Sequence, residues 1–101
     1  MITHLDDKSF NNFIKNNEYV VVDFWAAWCG PCRAMGPVFE EVANHGGKYK
    51  FAKVDVDKAE STALSLGINT IPTIMIFEKG TAVDRHSGYM TAENLIDFIG
   101  E

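Results

Sequence analysis

The pattern of apolar and polar residues predicts four main strands along the chain. Tyr19–Trp25 and Phe51–Val56 are β-branched and aromatic on both faces, which is typical of strands buried inside a parallel sheet. Thr73–Phe77 indicates a third strand, and the turn at residues 78–80 leads into Thr81–His86. The last segment is polar, so it is expected at a sheet edge.

Helical periodicity connects these strands. Asp6 is expected to cap a first helix that ends near residue 16, where its apolar spacing stops. A second helix is expected after the two cysteines, ending at the paired glycines near residue 46. Asp57 is expected to open a short helix that Gly67 closes, and Thr91 to cap the final one.

The order of these elements predicts the fold class. It is (β)αβαβαββα, with Met1–His4 as a candidate first strand. Strand–helix–strand units imply parallel pairing with right-handed crossovers, and the closing hairpin adds antiparallel strands. We therefore predict an α/β fold with a central mixed sheet of four to five strands and helices on both faces. Its length suits a single domain over residues 1–101.

Composition and charge narrow the classes of partner and compartment. The net charge of −5 argues against nucleic acid and anionic membranes as partners, because both attract a basic surface. The first residues lack the basic and apolar regions of a signal peptide, and no apolar run reaches the roughly 18 residues of a membrane span. We therefore expect a cytoplasmic location, where thiols are kept reduced.

The most informative residues are the two cysteines of the chain, Cys29 and Cys32. They stand between a predicted strand and a predicted helix, so Cys29 is expected at or just before the helix N-terminus. Unpaired backbone N–H groups and the helix dipole favour a thiolate there. Pro31 suits an early helical position, and Gly30 is expected to let the loop turn tightly enough for the sulfurs to meet.

Other uses of a cysteine pair fit the sequence less well. A zinc site needs further ligands, whereas His4, His45 and His86 are scattered, so we expect no metal. A structural disulfide closing so short a loop would restrain the unfolded chain little. The favoured prediction is thiol–disulfide exchange. Cys29, expected to be the more exposed cysteine, attacks a partner's disulfide, and Cys32 resolves the mixed disulfide.

The segment Trp25–Cys32, with Pro37 five residues later, resembles the thioredoxin family. Pro37 is expected to kink the second helix, because proline removes a donor and crowds the preceding turn. The resemblance covers the whole chain, and its other matching positions are Asp23, Lys53, Gly67-Ile68, Ile71-Pro72-Thr73, Phe77–Gly80 and Gly88. It implies the thioredoxin fold and a protein-disulfide reductase active in cell redox homeostasis.

The resemblance also implies catalytic roles for two charged residues. Asp23 lies within an apolar strand, where burial would raise its carboxyl pKa. By resemblance it deprotonates Cys32 through water, and Lys53 supports it by pairing across neighbouring strands. From the residues alone, a solvated Lys53 side chain is an equal alternative.

A docking surface is the next implication of the resemblance. The Ile71–Pro72 bond would be cis and face the cysteines. Clients would bind to a flat, mostly apolar surface that comprises Trp28, Gly30, Pro31, Ile71, Pro72 and Gly88. Gly30 and Pro31 would also tune the redox couple. Thr70, Ser87 and Tyr89 depart from the commonest family pattern and border this surface, so they bear on partner preference.

Partners and electron source follow from the resemblance as well. A flavoprotein thioredoxin reductase would recharge the disulfide from NADPH, with no cofactor bound to the chain itself. Expected clients are peroxiredoxins, methionine sulfoxide reductases and ribonucleotide reductase, and a monomer is expected. The alternative is a non-catalytic, redox-gated binding module or a subunit of a larger assembly. A Cys29→Ser, Cys32→Ser double variant would separate the two, because only the binding module would retain function.

Overall fold

The computed structural model describes residues 1–100 as five strands and four helices. The strands are β1 Ile2–Leu5, β2 Tyr19–Trp25, β3 Lys50–Asp55, β4 Thr73–Glu78 and β5 Thr81–Ser87. The helices are α1 Phe10–Asn16, α2 Gly30–Ala43, α3 Glu60–Ser65 and α4 Ala92–Ile99. The candidate strand at the N-terminus therefore forms, and every predicted element is present.

All five strands belong to one mixed sheet in the order β1-β3-β2-β4-β5. The strands β1, β3 and β2 pair in parallel, and the β4–β5 hairpin joins β2 in antiparallel fashion. Strand β2 lies at the centre, and Val20 to Phe24 are all buried. Its hydrophobicity on both faces reflects this position, and the predicted mixed α/β sheet is confirmed.

Side chains of alternate residues divide the core between the two faces of the sheet. Val21 packs in a cluster with Phe39 of α2 and Leu95 of α4. On the other face, Val22 packs in a cluster with Phe10 of α1. The helices thus cover both faces, as predicted. Because residues alternate along β2, Asp23 lies on the same face as Val21, beneath α2.

The first helix begins later than its sequence predicts. Helix α1 starts at Phe10, and Asp6 lies in the preceding turn instead of at the N-cap. The Oδ1 atom of Asp6 accepts hydrogen bonds from the amides of Lys8 and Ser9, at 3.0 and 2.9 Å. A short acidic side chain that bonds nearby amides favours a local turn over a helical start, and this bonding displaces the predicted cap.

The predicted start of α3 at Asp57 is also wrong. The helix begins at Glu60, and Ala59 at its N-cap makes no side-chain capping bond. Instead Asp7, from the distant β1–α1 connection, accepts bonds from the amide and hydroxyl of Thr62, at 2.8 and 2.7 Å. These bonds hold the pKa of the Asp7 carboxyl below its usual value. The helix is therefore capped by a residue remote in sequence, which no local pattern indicates.

Thr91 caps α4 as predicted, which generates a stability test. Its Oγ1 accepts a hydrogen bond from the amide of Asn94 at 3.1 Å. Thr91→Ala removes this acceptor, and we expect the free energy of unfolding to fall by about 1 kcal/mol. Urea denaturation followed by tryptophan fluorescence measures the change. Thr91→Ser keeps the hydroxyl and should remain close to wild type; equal losses in both variants would contradict the capping role.

Candidate active site

The two cysteines are joined by a disulfide at the junction between β2 and α2. Cys29 is the N-cap of α2, and its Sγ accepts a hydrogen bond from the backbone amide of Cys32 at 3.2 Å. The sulfur therefore lies at the positive end of the helix, where the amides and the dipole stabilise an anion. This placement matches the sequence prediction and favours a Cys29 thiolate in the reduced protein.

Exposure distinguishes the two cysteines less than expected. In the disulfide, Cys29 is 5% exposed and Cys32 is 4% exposed. Their surroundings differ more clearly, because Cys29 Sγ lies 3.7 Å from the carbonyl oxygen of Ile71. Cys32 lies within the first turn of α2 and packs in a small cluster with Ala26. The structural difference between the two sulfurs is therefore their contacts and not the exposed fraction of either residue.

The conformational reason given for Gly30 is wrong. Gly30 is the first residue of α2 and does not adopt a left-handed conformation. A Cβ built on it would have no neighbouring atom within 4 Å. An alanine would therefore fit, and the tight approach of the sulfurs does not require a glycine. Pro31, by contrast, occupies the early helical position predicted for it.

The segment opposite Cys29 contains the one cis peptide bond of residues 1–100, Ile71–Pro72. The carbonyl of Pro72 accepts a hydrogen bond from the amide of Gly88 at 2.7 Å. Gly88 has φ of 104°, a conformation that residues with a Cβ atom rarely adopt. Residues Ile71, Pro72 and Gly88 are thus brought together next to the disulfide, as the resemblance implied.

Trp28 lies beside the disulfide and is 68% exposed. Its indole Nε1 donates a hydrogen bond to Oδ2 of Asp57 at 2.8 Å. Sequence analysis missed this role of Asp57, because the two residues are 29 positions apart and share no local pattern. The bond fixes the orientation of an exposed aromatic ring that would otherwise be free to rotate.

Asp23 is buried beneath α2 with only 1% of its surface exposed. Neither carboxylate oxygen has a hydrogen-bond partner within residues 1–100. Burial raises the pKa of Asp23 to about 7, and the positive charge of Lys53 acts in the opposite direction. The carboxyl therefore exchanges its proton near neutral pH, which is the property required of a proton acceptor in this range.

Lys53 lies opposite Asp23 in the parallel β2–β3 register but does not contact it as expected. Among the described residues, no ion pair within 4 Å joins them. The Lys53 ammonium lies 5.4 Å from the centroid of the Trp25 ring, in cation–π range. It lines a surface pocket of about 290 Å³ that Asp55 also lines. Solvent access at this pocket favours a hydrated ammonium, so Lys53 acts on Asp23 through its charge alone.

The chain is similar over its whole length to known proteins. A family model described as Thioredoxin matches residues 1–101. The thioredoxin of Alicyclobacillus acidocaldarius is 46% identical over 92 residues, covering 90% of this chain and 88% of that protein. The thioredoxin of Mycoplasma pneumoniae is 35% identical over 102 residues and covers 100% of both. The solved structure of Plasmodium falciparum thioredoxin has a TM-score of 0.90 at 34% identity, covering 96% of this chain and 95% of its own.

A disulfide at a helix N-terminus in this α/β fold defines a class of redox proteins, the thiol–disulfide oxidoreductases. Within that class the chain belongs to the thioredoxin family. Its partners are accordingly a reductase and proteins that carry disulfides. The comparisons give no support to the alternative of a non-catalytic binding module.

Clustered metal ligands and membrane-spanning helices are both absent from residues 1–100. No group of three or more His, Cys, Asp and Glu side chains is arranged to hold a metal ion. None of the helices formed by these residues is long and apolar enough to cross a membrane.

The raised pKa of Asp23 predicts how stability depends on pH. The pKa of Asp23 is about 7 in the folded protein and 3.8 for an unperturbed aspartate, so the unfolded chain releases this proton at lower pH. The free energy of unfolding should therefore fall as pH rises from about 4 to about 7, by up to about 4 kcal/mol, and then become constant. Urea denaturation of the oxidised protein at several pH values measures this dependence.

Asp23→Asn supplies the control, because it keeps the shape and removes the titration. The variant should be more stable than wild type at pH 8, and the difference should shrink toward pH 4. Parallel pH dependences in the two proteins would show that Asp23 is not the group responsible.

Proposed function

We propose that this protein is a dithiol electron carrier that reduces disulfides of other proteins, with Cys29 as nucleophile and Cys32 as resolving thiol. The observation that carries this assignment is the position of Cys29 Sγ. The sulfur accepts a hydrogen bond from the Cys32 amide at the start of α2 and lies 3.7 Å from the Ile71 carbonyl oxygen. A sulfur so placed is activated by the helix and adjacent to backbone that a client can meet.

Reduction of a client proceeds in two exchanges. The Cys29 thiolate attacks one sulfur of the client disulfide, and the other client sulfur leaves as a thiolate and takes up a proton. The Cys32 thiolate then attacks Cys29 Sγ, which releases the first client sulfur as a second thiolate. The client gains two electrons and two protons, and the Cys29–Cys32 disulfide is restored.

Asp23 assists the second exchange in this proposal. Its carboxylate accepts the proton of Cys32 through a water molecule, and a pKa of about 7 suits transfer near neutral pH. Lys53 supports Asp23 by favouring its charged form from a distance. Both residues lie on the α2-facing side of the sheet, as Asp23 and Lys53 occupy paired register positions.

Client binding is assigned to the surface around Cys29. Trp28 supplies an exposed ring, and Ile71, Pro72 and Gly88 supply a backbone edge next to the sulfur. Such a surface reads main chain and apolar side chains, which permits many protein clients. Gly30 and Pro31 are proposed to tune the redox couple from within the first turn of α2.

The electron supply and the setting complete the proposal. The chain shows no nucleotide-binding motif, so electrons from NADPH reach it through a flavoprotein thioredoxin reductase. Peroxiredoxins, methionine sulfoxide reductases and ribonucleotide reductase are the proposed clients. We propose a cytoplasmic monomer with residues 1–101 as one domain. The net charge of −5 argues against nucleic acid and anionic membranes as its partners.

Variants of the cysteines test the order of attack. Cys32→Ser should form a stable mixed disulfide with a client that carries an accessible disulfide, because the resolving thiol is missing. Cys29→Ser should form none. Asp23→Asn should retain the first step but slow release of the mixed disulfide by about 10²-fold at pH 7. Non-reducing electrophoresis and rapid-quench kinetics measure these products. Mixed disulfides formed by Cys29→Ser, or normal release by Asp23→Asn, would contradict the assigned roles.

The reduction potential tests the proposed direction of electron flow. Equilibration against glutathione, followed by fluorescence of Trp25 and Trp28, should give a value close to about −270 mV, the established figure for thioredoxin itself. A value of about −180 mV or higher would indicate an isomerase or oxidant. That result would overturn both the reductase assignment and the cytoplasmic location.

A further inference from the structure

One continuous segment, residues 57–72, contacts the redox site at both of its ends. At its start, Asp57 accepts the indole N–H of Trp28 at 2.8 Å. At its end, the carbonyl of Ile71 lies 3.7 Å from Cys29 Sγ. Helix α3 lies between these two contacts. The placement of α3 therefore affects both sides of the surface that surrounds Cys29.

The chain directly after α3 is held by a side chain from the edge strand β5. Arg85 of β5 donates from Nη1 to the carbonyl of Gly67 at 3.3 Å and from Nη2 to the carbonyl of Leu66. Carbonyls at a helix C-terminus lack partners within the helix, and a cation there complements the dipole. The planar guanidinium can bond two such carbonyls at once, which a lysine cannot do with fixed geometry.

The same strand also holds the far end of the segment. Ser87 and Thr73 share a hydrogen bond between their hydroxyls at 3.1 Å, and Thr73 donates to the carbonyl of Thr70. The amide of Gly88 bonds the carbonyl of Pro72 at 2.7 Å. Strand β5 and the adjoining Gly88 thus hold residues 66–73 at both ends, and Arg85 makes the contact at the first end.

We propose that Arg85 is a positioning residue for recognition of protein disulfides. By holding the carbonyls of Leu66 and Gly67, directly after α3, it keeps the Ile71 carbonyl in register with Cys29, where the backbone of a client would bind. The inference rests on the proposed reductase function and adds to it a residue outside the motif. Arg85 acts through this backbone and does not itself contact the sulfurs.

Two substrates separate positioning from general stability. Arg85→Gln removes the charge and the two-pronged donor, and Lys79→Gln removes one charge from the other end of the same hairpin as a matched control. Each protein is reduced with dithiothreitol, freed of excess reductant and mixed with insulin or with 5,5′-dithiobis(2-nitrobenzoate). We expect Arg85→Gln to react about fivefold to tenfold more slowly with insulin. Its rate with the small disulfide, which has no peptide backbone, should equal that of wild type.

The other outcomes decide against the proposal. Equal rates with insulin in Arg85→Gln and wild type, or equal losses with both substrates, would assign Arg85 to stability alone. Asp7→Ala loosens α3 at its other end and should show the same selective loss. A selective loss in Lys79→Gln as large as in Arg85→Gln would indicate a charge effect and overturn the assignment. Failure of wild type to reduce either substrate would reject the proposed function itself, which distinguishes the two failures.

Discussion

The hydrogen bond from the Cys32 amide to Cys29 Sγ joins the fold to the chemistry. It exists because the central strand, buried from Val20 to Phe24, ends at Trp25 and the chain returns as α2, which leaves the Cys32 amide directed at the sulfur. Burial of the strand and packing of α2 against the sheet hold this geometry, so the core supplies the rigidity that the site needs. Loss of the helix start would remove the feature that favours a thiolate at neutral pH.

The same core contains one buried group that lowers its stability, the Asp23 carboxylate. A carboxylate without a hydrogen-bond partner in the described structure, on the central strand, raises the free energy of the charged folded state. The charge of Lys53 opposes this effect only from a distance, because its ammonium lies over Trp25 at the surface pocket. The result is a group that titrates near neutral pH, at the expense of stability above that pH. A buried ionisable group that lowers stability is common at sites of proton transfer.

The surface around Cys29 is assembled from segments far apart in sequence. Trp28 donates a hydrogen bond to Asp57, the Ile71 carbonyl lies next to Cys29 Sγ, and the Pro72 carbonyl accepts the amide hydrogen of Gly88 in the β5–α4 connection. Helix α3 is too short to be stable alone, so contacts from Asp7 and Arg85 at its two ends determine where it lies. In the proposed mode of client recognition, the sheet edge therefore contributes as well as the cysteine motif.

Residue patterns were enough to predict the strands and helices, the mixed sheet and the reactive cysteine pair. Hydrophobic periodicity is a local property, so β2, the helix after the cysteines and the Thr91 cap were all predictable, as was the helix N-terminus at Cys29. The contacts between distant residues, by contrast, depend on how the elements pack in three dimensions. Asp57 bonds Trp28 in place of capping α3, Lys53 lies over Trp25 in place of pairing with Asp23, and Gly30 has open space around it. Burial, partner geometry and solvent access arise when separate elements pack, and no local pattern of residues records them.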